Sequence, residues 1–315
     1  MAKLIIRRLL LGLVTMWVVS LMVFGTTEVL PGDVATAVLG QSATPEALKA
    51  IREELGLDRP ALIRYIEWLG DLATGDLGKS LATGRQVTEL INERLGKTLI
   101  LATMTAALAV PLAIFLGLIS AVFPGSFIDR GISTGTLALV SVPEFFIASL
   151  LVLIFAVILN WLPAISYITA DQSLLKMLRN LTLPILTLTA SIMAHMTRMT
   201  RTAVLNVTSS SYIEMAILKG VPRLQIVLRH ALLNALSPIF NVVALNMAYL
   251  ISGVVIVETV FAYPGIAKLM VDAVSTRDIP LVQACAMLFC GTYVGLNLLA
   301  DLFSILSNPR LRIPK

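Results

Sequence analysis

Long apolar runs separated by short charged stretches dominate this chain, and each run has the length of a helix that crosses a bilayer, about 20 residues. Six runs can be drawn, at residues 9–29, 99–123, 132–158, 181–203, 236–257 and 282–306. The first follows the basic stretch "KLIIRR" and is followed by "PGD". No small-residue cleavage site follows a short apolar core there, so the pattern predicts a retained helix. Pro111 and Pro143 fall inside runs. Membrane helices tolerate such kinks when neighbouring helices satisfy the freed carbonyls. The pattern predicts an all-α, polytopic membrane protein with six transmembrane helices.

Composition sharpens this. The 315 residues are 57% hydrophobic and 14% charged, whereas a soluble domain is nearer to half apolar and a quarter charged. Cys285 and Cys290 lie in one apolar run. They predict buried thiols rather than a disulfide scaffold or a metal site. Nothing here points to a nucleic-acid partner. The two halves share no repeat, so one copy is not expected to form a complete two-lobed transporter.

Positive charge sets the orientation. Lys3, Arg7 and Arg8 precede the first run, and Arg130 lies between the second and third. Arg198, Arg201, Lys219, Arg223 and Arg229 lie between the fourth and fifth, and Arg310, Arg312 and Lys315 end the chain. Six crossings place all of these on one side, with only Asp129 and Glu214 as acids among them. That side is assigned as cytoplasmic, with both termini on it.

The loop at 31–97 then lies outside, and its acids outnumber its bases. Thr44-Pro45-Glu46 reads as a helix start with Pro in the first turn. Arg59-Pro60 breaks that helix and "ALIRYIEWLGDL" restarts it, which predicts a small helical cap. Within the loop, "GDLGKS" (Gly75–Ser80) looks like the end of a phosphate-binding loop. The motif needs a glycine where Ala73 stands, and a preceding strand. A turn between two short helices is the expected reading.

One charged stretch interrupts the apolar second half: "SYIEMAILKGVPRLQIVLRHALLNALSP", Ser211 to Pro238. Ser211–Lys219 predicts a short helix, with Ser209 to Ser211 as capping hydroxyls and Glu214 near the positive helix start. Gly220 suits a left-handed C-cap, and Pro222 suits the first turn of a following helix. Helix, sharp turn, helix is the shape of a knob for a socket on a partner. By spacing alone, an interfacial amphipathic linker with no partner is the more expected reading.

Glu214-Met215-Ala216 followed after three residues by Gly220 resembles the EAA loop of ABC-importer permeases, and "RHALLNALSP" its peptide-permease form. "LPGD", "ELGLDRP", "GDLGKS" and "RLGKTL" are similar to that family's outer loop. "VETVFAYPGIAKLMVDAVSTRDIPLVQ", "NLLADL" and "NPRLR" resemble its C-terminal portion. The chain is thus similar, along almost all its length, to the first of the two paired permeases of dipeptide, oligopeptide and nickel importers. It departs at Met215, at the Gly-Lys of "RLGKTL", and at Glu144.

The resemblance implies half of an import channel in a bacterial-type inner membrane. It implies a second, homologous permease, two cytoplasmic ATPases and an extracytoplasmic substrate-binding protein as partners, besides membrane lipid. It implies residues 1–30 as the first helix with its cytoplasmic end, 31–97 as an extracytoplasmic helical loop, 98–307 as the permease domain and 308–315 as a tail. A coupling helix between helices 4 and 5 would then carry Tyr212, Glu214, Met215, Ala216, Lys219, Gly220 and Arg223 to an ATPase. No complete nucleotide-binding motif is present, so the chain is expected to be non-catalytic and to bind no cofactor itself, with ATP and Mg held by partners.

Ionisable residues inside spans tend to face a bundle interior or a cavity. Glu144, after Pro143 and about midway along the third run, is a candidate pathway residue for a cationic group such as an α-amine. A structural carboxyl bonded to a neighbouring helix is an equal alternative. Asp301 is expected to pair with a cytoplasmic-side Arg. Glu258 ends the fifth run and is a second pathway candidate. Tyr263-Pro264-Gly265 is expected to fold back as an outer gate. His195 reads as a packed residue, and the threonines at 182, 187, 189 and 197 either line a polar path or bond their own backbone. An ion-coupled secondary carrier using Glu144 and Asp301 is the alternative function, and a membrane-anchored scaffold a third. The solute is not named by this sequence.

Overall fold

The computed structural model describes residues 2–29, 59–168, 172–252 and 254–307, with isolated positions 44, 46, 49 and 53. "LPGD", most of the helix expected after Thr44, most of "ELGLDRP" and the tail with Arg310, Arg312 and Lys315 lie outside the described residues. Among those described, the regular elements are helices, joined by turns and loops, with one isolated antiparallel bridge, Lys79 to Gln86.

The elements are α1 (Ala2–Val29), α2 (Ala61–Thr74), α3 (Val87–Val122), α4 (Phe127–Ser141), α5 (Glu144–Leu151), α6 (Leu174–Thr208), α7 (Ser211–Leu218), α8 (Arg223–Gln225), α9 (Leu232–Ser252), α10 (Val255–Val260), α11 (Ile266–Ser275) and α12 (Ile279–Ser307). Two stretches widen into π-helix, Val152–Ile158 after α5 and Ile226–Ala231 before α9. Among the described residues, five helical segments are long and apolar enough to cross a bilayer, or six if one bent pair counts as a single crossing. In lipid the backbone must satisfy itself, which explains why apolar runs become helices.

The bent pair corrects the third expected span. In place of one helix over 132–158, α4 and α5 meet at 96°. Pro143 supplies the reason. It lacks an N–H, and its ring disfavours helical backbone at the preceding residue. Val142 is accordingly extended (φ −94°, ψ 126°), and a new helix starts at Glu144. Pro111 and Pro184, by contrast, are carried inside α3 and α6. The second span also differs, because "RLGKTL" is helical and α3 begins at Val87. "GDLGKS" therefore precedes a 36-residue helix rather than a short one.

The chain divides into two compact units. The first comprises residues 1–8, 99–263 and 295–315. Here α6 packs against α4, α5 and α9. Leu181, Leu188, Ile192 and Met196 of α6 bury themselves with Leu101, Ala109 and Ala113 of α3 and with Val257 and Phe261. Gly117 permits a close crossing of α3 and α6. A Cβ there would lie 2.7 Å from the Thr200 Cβ and 2.9 Å from the Thr197 carbonyl oxygen. Gly117→Val should therefore lower unfolding stability by about 1–3 kcal/mol through overpacking. Gly135→Ala, whose Cβ meets nothing within 4 Å, should change it little. Thermal unfolding of both variants in detergent checks this.

The second unit comprises residues 9–98 and 264–294. Val87, Leu90 and Ile91 of α3 pack with Ile266, Leu269, Leu281 and Cys285. Ser20 shares a 2.9 Å hydrogen bond with the Tyr65 phenol, whose ring stands edge-on to Phe24 at 5.4 Å. Gln283 Nε2 donates to Thr27 Oγ1 at 2.8 Å, and Arg64 pairs with Glu28. The "GDLGKS" stretch is a turn, as expected. Gly78 adopts φ +74°, Ser80 Oγ donates to Asp278, and the Leu81 N–H donates to Asp278 Oδ1 at 3.0 Å. The motif's hydroxyl is spent on a buried carboxylate.

Candidate functional site

Three arrangements carry chemistry, all within the first unit. The first is the elbow after α6. Helix α7 closes through two hydrogen bonds, Gly220 N–H to Ile217 O at 2.9 Å and Val221 N–H to Ala216 O at 3.1 Å. That geometry requires a left-handed residue, and Gly220 supplies it at φ +76°. Pro222 then caps α8 with extended backbone, rather than occupying its first turn (φ −66°, ψ 144°).

Ile213 is buried and anchors α7, while Leu218 is 80% and Met215 56% exposed. Glu214, Lys219, Gly220 and Arg223 are exposed and Ala216 is half-buried. The Tyr212 hydroxyl donates to the His230 carbonyl at 3.3 Å and accepts from Asn234 Nδ2 at 2.9 Å. Tyr212 thus braces the elbow against the next helix. The serines act differently from expectation. Ser209 and Ser210 donate back to the carbonyls of Asn206 and Val207, at 2.9 and 2.6 Å. They close the frayed end of α6, where carbonyls lack partners, so no side chain caps α7.

The second arrangement is the break at Pro143. It places Glu144 as the first residue of α5. Glu144 Oε2 accepts from the Tyr249 hydroxyl of α9 at 2.6 Å, while Oε1 is buried without a hydrogen-bond partner. Leaving such an oxygen unpaired costs about 1–3 kcal/mol. Nearby in sequence logic, the threonines split. Thr182 and Thr187 bond their own backbone, to Leu178 O at 2.8 Å and Leu183 O at 2.9 Å. Thr189 and Thr197 hydroxyls are buried without partners, as is that of Thr105 on α3.

The third is a charge cluster that sequence reasoning missed. Asp129 is buried and takes a bidentate pair from Arg201, Nε to Oδ1 at 2.7 Å and Nη2 to Oδ2 at 2.8 Å. Ser120 Oγ also donates to it, and the Gly125 N–H reaches Oδ2 at 2.7 Å. The forked guanidinium matches the carboxylate geometry. The pair joins the start of α4 to the late turns of α6. The one local signal was Ser126-x-x-Asp129: the Ser126 hydroxyl accepts from the Asp129 N–H at 3.2 Å, as a helix-start serine does.

The remaining candidates are placed as follows. Asp301 pairs with Arg8, as expected of a basic partner on that side. Glu258 and Tyr263 are fully buried with Val257 and Phe261, so Glu258 does not face an open surface. The Tyr263 N–H donates to the Glu258 carbonyl at 2.7 Å across a turn in which Ala262 takes φ +49°. Burial first, and the Glu258 carboxylate second, push the Tyr263 phenol up from its ordinary range, so it remains a hydroxyl. Pro264 is half-buried and Gly265 buried. His195 is exposed.

Residues 113–313 match the family described as "Binding-protein-dependent transport system inner membrane component". Residues 1–102 match the corresponding N-terminal family. The chain is 38% identical to a protein of Sinorhizobium fredii named "Probable peptide ABC transporter permease protein", over 98% of each. It is 34% identical to the "Glutathione transport system permease protein GsiC" of Escherichia coli strain K12, over 99% of each.

Proposed function

The chain belongs to the inner membrane components of binding-protein-dependent transport systems, and from that premise we propose that it forms half of an ATP-driven import path for peptides or similarly delivered small solutes. A second, similar permease would supply the other half. Two ATPase subunits would bind on the side of the elbow, holding ATP and Mg, and a binding protein would deliver solute on the opposite side. The elbow side is cytoplasmic in this reading, with both termini on it, and this chain hydrolyses nothing.

The observation that carries the reading is the elbow itself. A left-handed glycine turn projects apolar Met215 and Leu218 into solvent beside Lys219 and Arg223. Exposed apolar side chains ringed by charge mark a docking surface. Tyr212 and the buried Ile213 tie this knob to the long helices. Movement of an ATPase would therefore act on α6 and α9 as rigid levers, the behaviour of an alternating-access device.

Glu144 would meet the solute's amine. Its unpaired oxygen at a helix break suits a cation, since irregular backbone at membrane depth is tolerated only where it is buried in protein or lines a cavity. The carrier alternative is weaker, because Asp301 is already paired with Arg8. The test replaces Leu218 with Cys and co-expresses the chain with its partner subunits. Crosslinking from position 218 to an ATPase is expected, as is ATP-dependent uptake only by the assembled complex. Peptide uptake by the purified chain alone in liposomes would reject the reading.

A further inference from the structure

Where the π-helical stretch Val152–Ile158 ends and α6 begins, the first unit holds a cleft of about 470 Å3. Val157, Leu162 and Pro163 form its apolar wall, and Asn160, Lys176 and Arg179 its polar one. The floor is firmly built. Arg179 Nη2 donates to the Trp161 carbonyl at 3.1 Å, and Asn180 Nδ2 donates to the Tyr167 carbonyl at 2.9 Å. Ser166 ties the loop to the Asn180 carbonyl at 2.7 Å. One Arg179 hydrogen bond leaves most of its five donors for something else. No carboxylate among the described residues pairs with Lys176 or Arg179. Asp171, in the intervening loop, lies outside the described residues.

We infer that this cleft binds the anionic phosphodiester headgroup of a membrane phospholipid. Two cations and an amide converge on a space of suitable size, so the ligand is an anion with several acceptor oxygens. The rim favours a lipid over a soluble phosphate. Trp161, Ile165 and Tyr167 are each 62% exposed, and Leu174 and Leu175, just before Lys176, are 69% and 79% exposed. A soluble anion gives such side chains no cover, whereas acyl chains do. Trp and Tyr beside Lys and Arg at the end of a membrane helix is the arrangement of the lipid–water interface. The proposal needs only that the chain crosses a membrane, and it stands or falls apart from what is transported.

The test uses the full-length chain in detergent, with Trp17 and Trp68 replaced by Phe so that Trp161 reports alone among the three tryptophans. Brominated phosphatidylglycerol should quench Trp161 at lower concentration than brominated phosphatidylcholine. Lys176→Gln and Arg179→Gln should each cut that preference about fivefold, and the double variant Lys176→Arg with Arg179→Lys should keep it. Inorganic phosphate should leave the quenching unchanged. Competition by phosphate would assign the cleft to a soluble anion and overturn the lipid source. Equal quenching by the two lipids would overturn the headgroup site. A lowered Tm of Lys176→Gln, whose ammonium holds no part of the cleft floor, in lipid-free detergent would assign that cation to an internal ion pair and overturn it as well.

Discussion

Replacing Arg201 with alanine should destabilise the chain by about 1–3 kcal/mol, because the buried Asp129 carboxylate loses its charged partner while the Arg201 side chain itself is 30% exposed. Asp129 would then be left buried beside Ser120 and the Gly125 N–H. Those two donors cannot replace a bidentate guanidinium. The double variant Asp129→Asn with Arg201→Met should recover much of the loss, since no charge remains buried. Thermal unfolding of the single and double variants, read as a double-mutant cycle, isolates the coupling. Additive losses would show that the two side chains do not act as a pair. The cluster fastens α4, which leads to the Glu144 break, to α6, which leads to the elbow. In the proposed complex, an Arg201 variant rescued for stability should therefore leave the partner ATPases hydrolysing ATP with poorer coupling to uptake.

Glu144→Gln should reduce uptake of peptides with a free α-amine by about tenfold or more, the effect of losing a hydrogen bond to a charged group worth roughly 1.5–3 kcal/mol. The substitution keeps an acceptor for the Tyr249 hydroxyl, which now reaches Oε2 at 2.6 Å, so folding and complex assembly should be preserved. The decisive comparison is with N-acetylated peptides, which lack the cation and should lose far less. Uptake measured in reconstituted vesicles with both peptide types gives the readout. An equal fall for both would mean that Glu144 serves only to hold α5 against α9. Tyr249→Phe frees the second carboxylate oxygen as well, and should alter the affinity for solute more than the rate of ATP hydrolysis.

Much of this protein follows from its order of residues alone. The apolar runs dictate helices because lipid offers the backbone no other partner. Gly220 and Pro222 dictate the elbow because only glycine takes the left-handed turn easily and proline cannot continue a helix. Even the partner class of Asp301 could be read, since a half-buried acid near a basic helix end seeks a cation. Tertiary structure decided what depends on groups far apart in the chain. Asp129 and Arg201 are separated by 72 residues, and Glu144 and Tyr249 by 105. No local pattern encodes such pairs. The 96° turn at Pro143 belongs here too. Proline marks where a helix stops, but only packing against α6 and α10 sets the direction in which the next one leaves. The same holds for Ser209 and Ser210, whose hydroxyls could serve either neighbouring helix and went to the one whose last carbonyls lacked donors.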